Sequence, residues 1–586
     1  MRRLEGLAVS PGVAIGRAIV VQYDIKVPDF SIPETDIRLE LLKFDAALAL
    51  SREQLLSVRE NKDACDETVK KLLDSQLLIL VDPMFVGEVI SKVKEEKRNI
   101  EKVVWDVVNE FYRMFDNMED QYLRERAADI RDIGNRILRN LLGEDPPPLH
   151  LLNRDSILVC DHLNVSEFAH LDPERVVALV SEVGGETSHP AILARSLGIP
   201  AIVGVVDATG IVSTGQEIVV DCVKGEIIID PEEGQKEEYR ELRRDFQISW
   251  KRLIEESAEA VSTVDGVELN FLANISVPAE IDQVQDFGAC GVGLFRTEYL
   301  YMNQSSFPSE EIQVKAYERV LKGAGPCGAT IRTLDIGGDK ELPYLCFVKE
   351  PNPFLGWRSI RFCLDNPGIF KTQLRALLRA SVAGKLRLMF PMISTLSELR
   401  RAKGFLEDVK KELSEEGLPF DEDLEVGIMI EVPSAALIAD KLSAEVDFFS
   451  IGTNDLTQFT LAVDRTNQKL ASRFDSISPG VLRLIDQVVV AAKEKSIDVA
   501  CCGEMTSSSI GVLLLLGLGV RNFSCNLFSV PQMKRFSKRF SLEEVASLAK
   551  RALDADSSED VRRLFKKMEQ RMITTAEEVV RSSEER

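Results

Sequence analysis

Histidine is scarce in this chain. Only His150, His162, His170 and His189 occur in 586 residues, so chemistry that needs an imidazole has few addresses. Positive charge is also short: 72 Lys and Arg against 95 Asp and Glu leave a net charge of −23. That balance argues against nucleic acid or an anionic membrane surface as partner and permits a small basic protein. The ten cysteines are scattered, with no pair at metal-ligand spacing, and adjacent Cys501-Cys502 makes neither CxxC nor an ordinary disulfide. Met1-Arg2-Arg3 does not open a signal peptide, which with the unpaired thiols predicts a reducing, cytoplasmic setting. Long apolar runs are missing too. Leu513–Leu518 is too short to cross a bilayer, so no membrane insertion is expected.

Glycine is nearly absent between Pro33 and Gly143, where only Gly87 and Gly134 occur. Apolar residues there recur at helical spacing, as in Leu72-Leu73, Leu77-Leu78 and Leu80, which predicts about four helices over 33–143. On both sides the pattern is α/β. Leu4 to Val21 reads as short strands broken at Ser10-Pro11-Gly12 and at Gly16. Apolar runs at 157–159, 176–180, 201–203, 218–220 and 227–229 read as further strands. The helical block is therefore expected as an insert in one α/β domain built from 1–32 and 144–230. Residues 231–260 read as a charged helix with Tyr239, Leu242, Phe246, Trp250 and Leu253 near heptad spacing. It suits a rigid connector or a surface helix packed on one domain.

From Glu268 onward, eight buried-strand candidates alternate with helical stretches: 269–275, 292–295, 330–336, 386–393, 425–432, 448–453, 499–502 and 522–524. Eight such alternations predict a (β/α)8 barrel over 261–550, followed by a helical tail over 551–586. Residues 354–360 are expected in a long loop above it.

Two places in this plan carry chemistry. The first is Gly184-Gly185-Glu186-Thr187-Ser188-His189-Pro190, which follows the apolar run 176–180. The glycines allow a tight turn, Thr187 and Ser188 suit a helix cap, and Pro190 suits a first helical turn. His189 is thus expected at a helix N-terminus, where free N–H groups and the dipole favour phosphate, with Arg195 in the same short helix. A lone histidine there would be read as a cap. The glycine turn, the hydroxyls and Arg195 together point to a nucleophile towards phosphorus. His150 follows a triple proline, and His162 and His170 lack a phosphate cradle.

The second place is the rim of the barrel, because active sites of such barrels lie at the C-terminal ends of the strands. Arg296, Glu431, Asn454-Asp455 with Arg465 beyond them, and Cys502 fall at or just beyond strand ends, while the third strand contains Arg332 and leads to Lys340. Arg358 lies in the loop above. Two oxygen ligands, Glu431 and Asp455, suit one Mg2+ ion that keeps waters and substrate oxygens. Arg296, Arg332, Lys340, Arg358 and Arg465 can surround a compact anion, and Asn454 can fix a carboxylate. A protonated Cys502 thiol can give a proton to an enolate carbon. The set suits a small phosphorylated carboxylic acid that loses its phosphoryl group as an enolate forms. Phosphoenolpyruvate fits best.

These motifs resemble a known family, from Gly6-Leu7-Ala8-Val9-Ser10-Pro11-Gly12 to about residue 550. The stretches that carry the likeness are 125–134, 185–196, 291–298, 332–340, 352–358 and 450–465. The family is enzyme I of the bacterial phosphoenolpyruvate-dependent sugar phosphotransferase system, the phosphoenolpyruvate-protein phosphotransferases. The resemblance implies that phosphoenolpyruvate with Mg2+ phosphorylates His189 and releases pyruvate, and that the phosphoryl group then passes to a histidine of the small carrier HPr. It implies that Arg296, Arg332 and Arg465 hold the phosphate and Asn454 the carboxylate. It further implies that Glu431 and Asp455 hold Mg2+, and that Cys502 protonates the enolate. The helical insert would dock HPr, and the barrel would form a homodimer. Glu186, Pro190, Gln76 and Thr506-Ser507-Ser508 depart from the family's usual residues, and Glu186 is expected to repel the phosphoryl group, slowing transfer or altering carrier choice. A non-catalytic regulatory relative is the alternative from another class. A pyruvate phosphate dikinase-type enzyme would need an ATP-binding domain for which this chain has no room.

Overall fold

The computed structural model describes residues 2–21, 27–60, 77, 79–80, 82–116, 121–143, 155–161, 175–183, 194, 199–222, 224–302, 306–337, 350, 352–464, 470 and 473–568. They fall into two compact units, one made mainly of the chain up to Ile248 and the other of the chain from Ser249 on.

The first unit contains an eight-stranded mixed sheet. Its strands lie in the order Arg2–Glu5, Glu226–Ile229, Glu217–Asp221, Val13–Val21, Ser156–Cys160, Val176–Ser181, Ala201–Val203, Leu7–Ser10. All the strands read from the sequence are present. The strand Ser156–Cys160 is buried at every position, as its unbroken apolar run requires of a central strand. Gly16 does not break a strand: it sits inside Val13–Val21, and a Cβ there would lie 2.1 Å from the Asp155 carbonyl oxygen. Glycine is there for the close approach of two backbones. Val13–Val21 and Ser156–Cys160 are parallel neighbours, so the chain between them leaves the sheet at Val21 and re-enters it beside Arg17 of the same strand.

That excursion contains the helices Ile37–Glu60, Pro83–Glu96, Ile100–Asp116 and Gln121–Leu142. Their apolar stripes meet in one core that includes Phe44, Leu55, Val89, Val104, Val107, Ile133 and Ile137. Sequence signals set the ends. The Asp82 carboxylate accepts from Met84 N at 2.8 Å and Pro83 follows it, capping the second helix. Buried Glu40 accepts from Ile100 N at 2.8 Å, placing a carboxylate at the N-terminus of the third.

The helix Glu233–Ser257 begins in the first unit and ends in the second. Its Tyr239 packs with Val13, Val219 and Ile228 of the sheet, while its Trp250 ring lies 6.3 Å from that of Phe287 in the second unit.

In the second unit eight parallel strands close into a barrel: Glu268–Ile275, Val292–Arg296, Ala329–Arg332, Leu386–Phe390, Glu425–Ile430, Phe448–Ile451, Asp498–Cys501 and Asn522–Asn526. Closure comes from the first strand, which pairs with both the second and the eighth. The third strand is shorter than its apolar run because Leu334 N donates to Gln373 Oε1 at 2.9 Å instead of continuing the ladder. The segment above the barrel is more ordered than a loop, with a helix at Ser359–Asp365. The helix Leu542–Leu553 runs across position 550, and Val561, Phe565 and Met568 beyond it are buried.

Candidate active site

The C-terminal ends of five barrel strands deliver the expected side chains. Arg296 and Arg332 are the last residues of neighbouring strands and stand opposite each other in the register. Glu431 follows directly on Glu425–Ile430. Asn454 and Asp455 lie in the first turn of the helix Thr453–Leu461, just beyond Phe448–Ile451. Cys502 follows Asp498–Cys501. His189, Lys340 and Arg465 lie outside the described residues, as do Arg195, Glu186, Pro190 and Gln76.

Two buried arginines organise the floor of the site. Arg332 Nη2 donates to Glu298 Oε1 at 2.7 Å and pairs with Asp335 Oδ2 at 2.9 Å. Arg358 Nη2 donates to the other oxygen of Asp335 at 3.1 Å, and its Nη1 lies 3.7 Å from Asp455 Oδ1. Asp335 thus bridges two guanidinium groups. Burial opposes charge on both arginines. For Arg332 the fields of Asp335, Glu298 and Glu431 outweigh it; for Arg358 those of Asp335, Asp455 and Glu431 do, so both stay charged. Arg332 Nε and Arg358 Nε and Nη1 are buried without a hydrogen bond, which leaves donor capacity for an anion.

The carboxylate pair has the opposite character. Glu431 Oε1 accepts from Met392 N at 2.6 Å, and Met392 holds a left-handed backbone (φ 52°) that is uncommon for its type. Asp455 Oδ1 is buried without a hydrogen bond. Loss of solvation first, and the fields of Asp455 and Asp335 second, push the Glu431 carboxyl up to about 8 against the pull of Arg332 and Arg358. Two crowded carboxylates, one with an unsatisfied oxygen, suit a divalent cation. Among the described residues no third acidic, histidine or cysteine side chain joins them, so waters and substrate oxygens would complete the shell.

This crowding has a consequence for stability. Glutamate titrates near 4.5 without such neighbours, so between that pH and about 8 the folded chain keeps a proton that the unfolded chain has lost. The contribution is fully present below 4.5 and is lost as pH rises through about 8. In chelator, the stability of the wild-type chain should fall across this window more than that of Glu431→Gln, by on the order of a few kcal/mol. Denaturant titrations at several pH values check this. Parallel curves for the two chains would reject it.

Cys502 is buried against Leu294, Met389, Met429 and Phe448. Ser450 Oγ donates to its sulfur at 3.3 Å. Burial raises the thiol above its ordinary value, partly opposed by the Ser450 bond and by Arg332 and Arg296, so it is protonated at neutral pH. Beside it, Asn454 and Glu504 lock each other: Asn454 Nδ2 donates to Glu504 Oε1 at 2.8 Å, and Glu504 N donates to Asn454 Oδ1 at 2.9 Å. Gly503 permits this approach, since a Cβ there would lie 1.9 Å from Thr453 Oγ1. The altered stretch after Met505 is built into the fold. Thr506 Oγ1 bonds the carbonyls of Gly503 and Ser524 at 2.8 and 2.7 Å, and Ser508 caps the helix Ser509–Leu518.

Sequence reasoning gave no role to Glu298, Asp335, Ser450, Met392 or Glu504. The usable signal was an acidic residue two or three places beyond a strand-end arginine, as in Arg296-Thr297-Glu298 and Arg332–Asp335. Ser450 and Met392 carried no signal of their own.

A barrel whose strand ends gather buried arginines, two carboxylates and a thiol belongs to the phosphoenolpyruvate-utilising enzymes. Residues 251–542 match the PEP-binding domain of that class, 152–225 its mobile domain and 5–126 its N-terminal domain. More narrowly, the chain belongs to the phosphoenolpyruvate-protein phosphotransferase family. It is 43% identical over 567 residues to the phosphoenolpyruvate-protein phosphotransferase of Enterococcus faecalis, covering 95% of this chain and 98% of that one. The enzyme of the same name from Listeria innocua is 42% identical over 574 residues, covering 97% and 99%. That of Staphylococcus epidermidis is 42% identical over 562, covering 95% and 98%.

Proposed function

We propose that the chain moves the phosphoryl group of phosphoenolpyruvate to its own His189 and then to a histidine of HPr. The observation that carries this reading is the convergence of Arg296, Arg332, Arg358, Glu431, Asp455 and Cys502 on one barrel mouth, in a chain that aligns with phosphoenolpyruvate-protein phosphotransferases over 95% of its length. Arg296 and Arg332, with Lys340 and Arg465, would bind the phosphate. Asn454, held in one orientation by Glu504, would receive the carboxylate. Mg2+ would be held by Glu431 and Asp455, and when bound it neutralises charge on the substrate oxygens. The protonated thiol of Cys502 would supply the enolate carbon with its proton as the phosphoryl group departs. Ser450 would fix the sulfur, and Asp335 and Glu298 would hold the arginines in place. A homodimer through the barrel and a cytoplasmic setting belong to the same reading. Among the described residues no helix is long and apolar enough to cross a membrane.

The test is incubation with labelled phosphoenolpyruvate and Mg2+. Acid-labile, base-stable label on the protein, with pyruvate released, is the expected result; no label would leave only a binding protein. A fragment of residues 1–248 keeps the whole sheet and its Tyr239 contact. It should exchange phosphate with phosphorylated HPr, since that step needs mainly positioning, and take none from phosphoenolpyruvate. Direct labelling of this fragment would refute the division of labour.

A further inference from the structure

Eight of the cysteines are described, and six of them are buried; the two that are partly exposed, Cys290 and Cys327, are neighbours. Each stands two residues before a barrel strand, Cys290 before Val292–Arg296 and Cys327 before Ala329–Arg332. Those strands are hydrogen-bonded partners with Val292 opposite Ala329, so the two cysteines occupy matching positions where the strands enter the barrel. Cys327 N donates to Cys290 O at 3.0 Å, so the backbones of the two cysteines are in direct contact. A Cβ at Gly291, next to Cys290, would lie 2.8 Å from Cys327 Cβ. Adjacent strands lie about 4.8 Å apart, within the range of about 4.4–6.8 Å that a disulfide spans between Cα atoms.

We propose that Cys290 and Cys327 are a redox modification site at the entry face of the barrel, which hydroperoxides convert to a disulfide. The charge around the pair selects its nucleophile. The Cys290 thiol and the cations Lys385, Arg387 and Lys534 draw the Cys327 thiol down to about 7 against the cost of burial. Burial drives Cys160, Cys222, Cys363, Cys501, Cys502 and Cys525 the other way. The Cys327 thiolate therefore attacks peroxide first. Its sulfur takes one peroxide oxygen, the O–O bond breaks, and the other oxygen leaves as water after protonation. The Cys290 sulfur then attacks the sulfenic sulfur, the S–O bond breaks, and a second water leaves. Two thiols and one hydrogen peroxide give one disulfide and two waters. The crosslink ties the entries of the two strands whose far ends carry Arg296 and Arg332, and it constrains the unfolded chain.

The test uses the full chain, treated with limiting hydrogen peroxide at neutral pH and mapped by mass spectrometry without reduction. The expected product joins the Cys290 and Cys327 peptides with a loss of two hydrogens. Dithiothreitol should reverse it, and neither Cys290→Ser nor Cys327→Ser should form it. The oxidised wild type should melt several degrees above the reduced form, a gain absent in both variants. The map of the wild type needs no variant to fold. Peroxide that oxidises Cys502 while this pair stays reduced, or that takes Cys327 to the sulfinic acid without crosslinking, would overturn the proposal.

Discussion

Given labelled phosphoenolpyruvate and Mg2+, the His189→Ala chain should incorporate no phosphate, yet bind phosphoenolpyruvate as the wild type does. The loss should be complete, because His189 is the one histidine whose sequence surroundings suit a phosphate cradle. The other three histidines lie in segments without the glycine turn, the hydroxyls and the nearby arginine that surround His189. Binding should survive because the buried ion pairs around Asp335, and the pair Glu431–Asp455, are made by barrel residues. Acid-quench labelling and a calorimetric titration read the two halves separately. Normal labelling of the variant would remove His189 from the mechanism. Loss of binding as well would mean that the histidine-bearing segment forms part of the substrate pocket.

Replacing Cys502 with serine should cut pyruvate release by about 10²–10⁴-fold, the usual effect of losing a positioned general acid. A serine hydroxyl is of similar size but is a far weaker acid than the thiol. It can still receive the Ser450 hydrogen bond and donate to the Ile451 carbonyl, which Cys502 Sγ approaches at 3.7 Å, so the fold should be little affected. Cys501 supplies the control. It is buried, and it ends a strand whose side chains alternate between faces, so it points away from Cys502. Cys501→Ser should cost stability by burying a hydroxyl where a thiol sat, while turnover per folded molecule stays near normal. Turnover assays paired with thermal melts separate the two outcomes. Near-normal turnover of Cys502→Ser would make that thiol a packing residue.

Much of the barrel was legible because parallel strands buried on both faces must be short apolar runs, and this chain punctuates them with helices. The rule that strand C-terminal ends form the active rim then picked out Arg296, Glu431 and Cys502 without coordinates, while Arg332 reads as lying inside its strand. The length of the third strand was not legible. Its apolar run continues to Ile336, and the residue that diverts Leu334 N is Gln373, far along the sequence. Nor was Gly16 legible as a strand residue, since its reason is the carbonyl of Asp155. The same holds at the site. Asp335 reads as one more acidic residue until it is seen to bridge Arg332 and Arg358. Glu504 reads as a loop residue until its carboxylate and its backbone N–H are found on Asn454.

The sequence by itself determined the order of sheet, helical insert, connecting helix and barrel, and the family. These rest on hydrophobic period, on turn residues and on motifs, all of which are local in the chain. Only the tertiary structure decided how the charged groups share their burden: which arginines stay buried and charged, why Glu431 keeps its proton towards pH 8, and that Cys290 and Cys327, two of the described cysteines, lie side by side. A pKa or a thiol contact depends on groups that meet within a few ångströms and stand tens or hundreds of residues apart. Loss of solvent then sets the strength of their interaction, and neither quantity is written in local order.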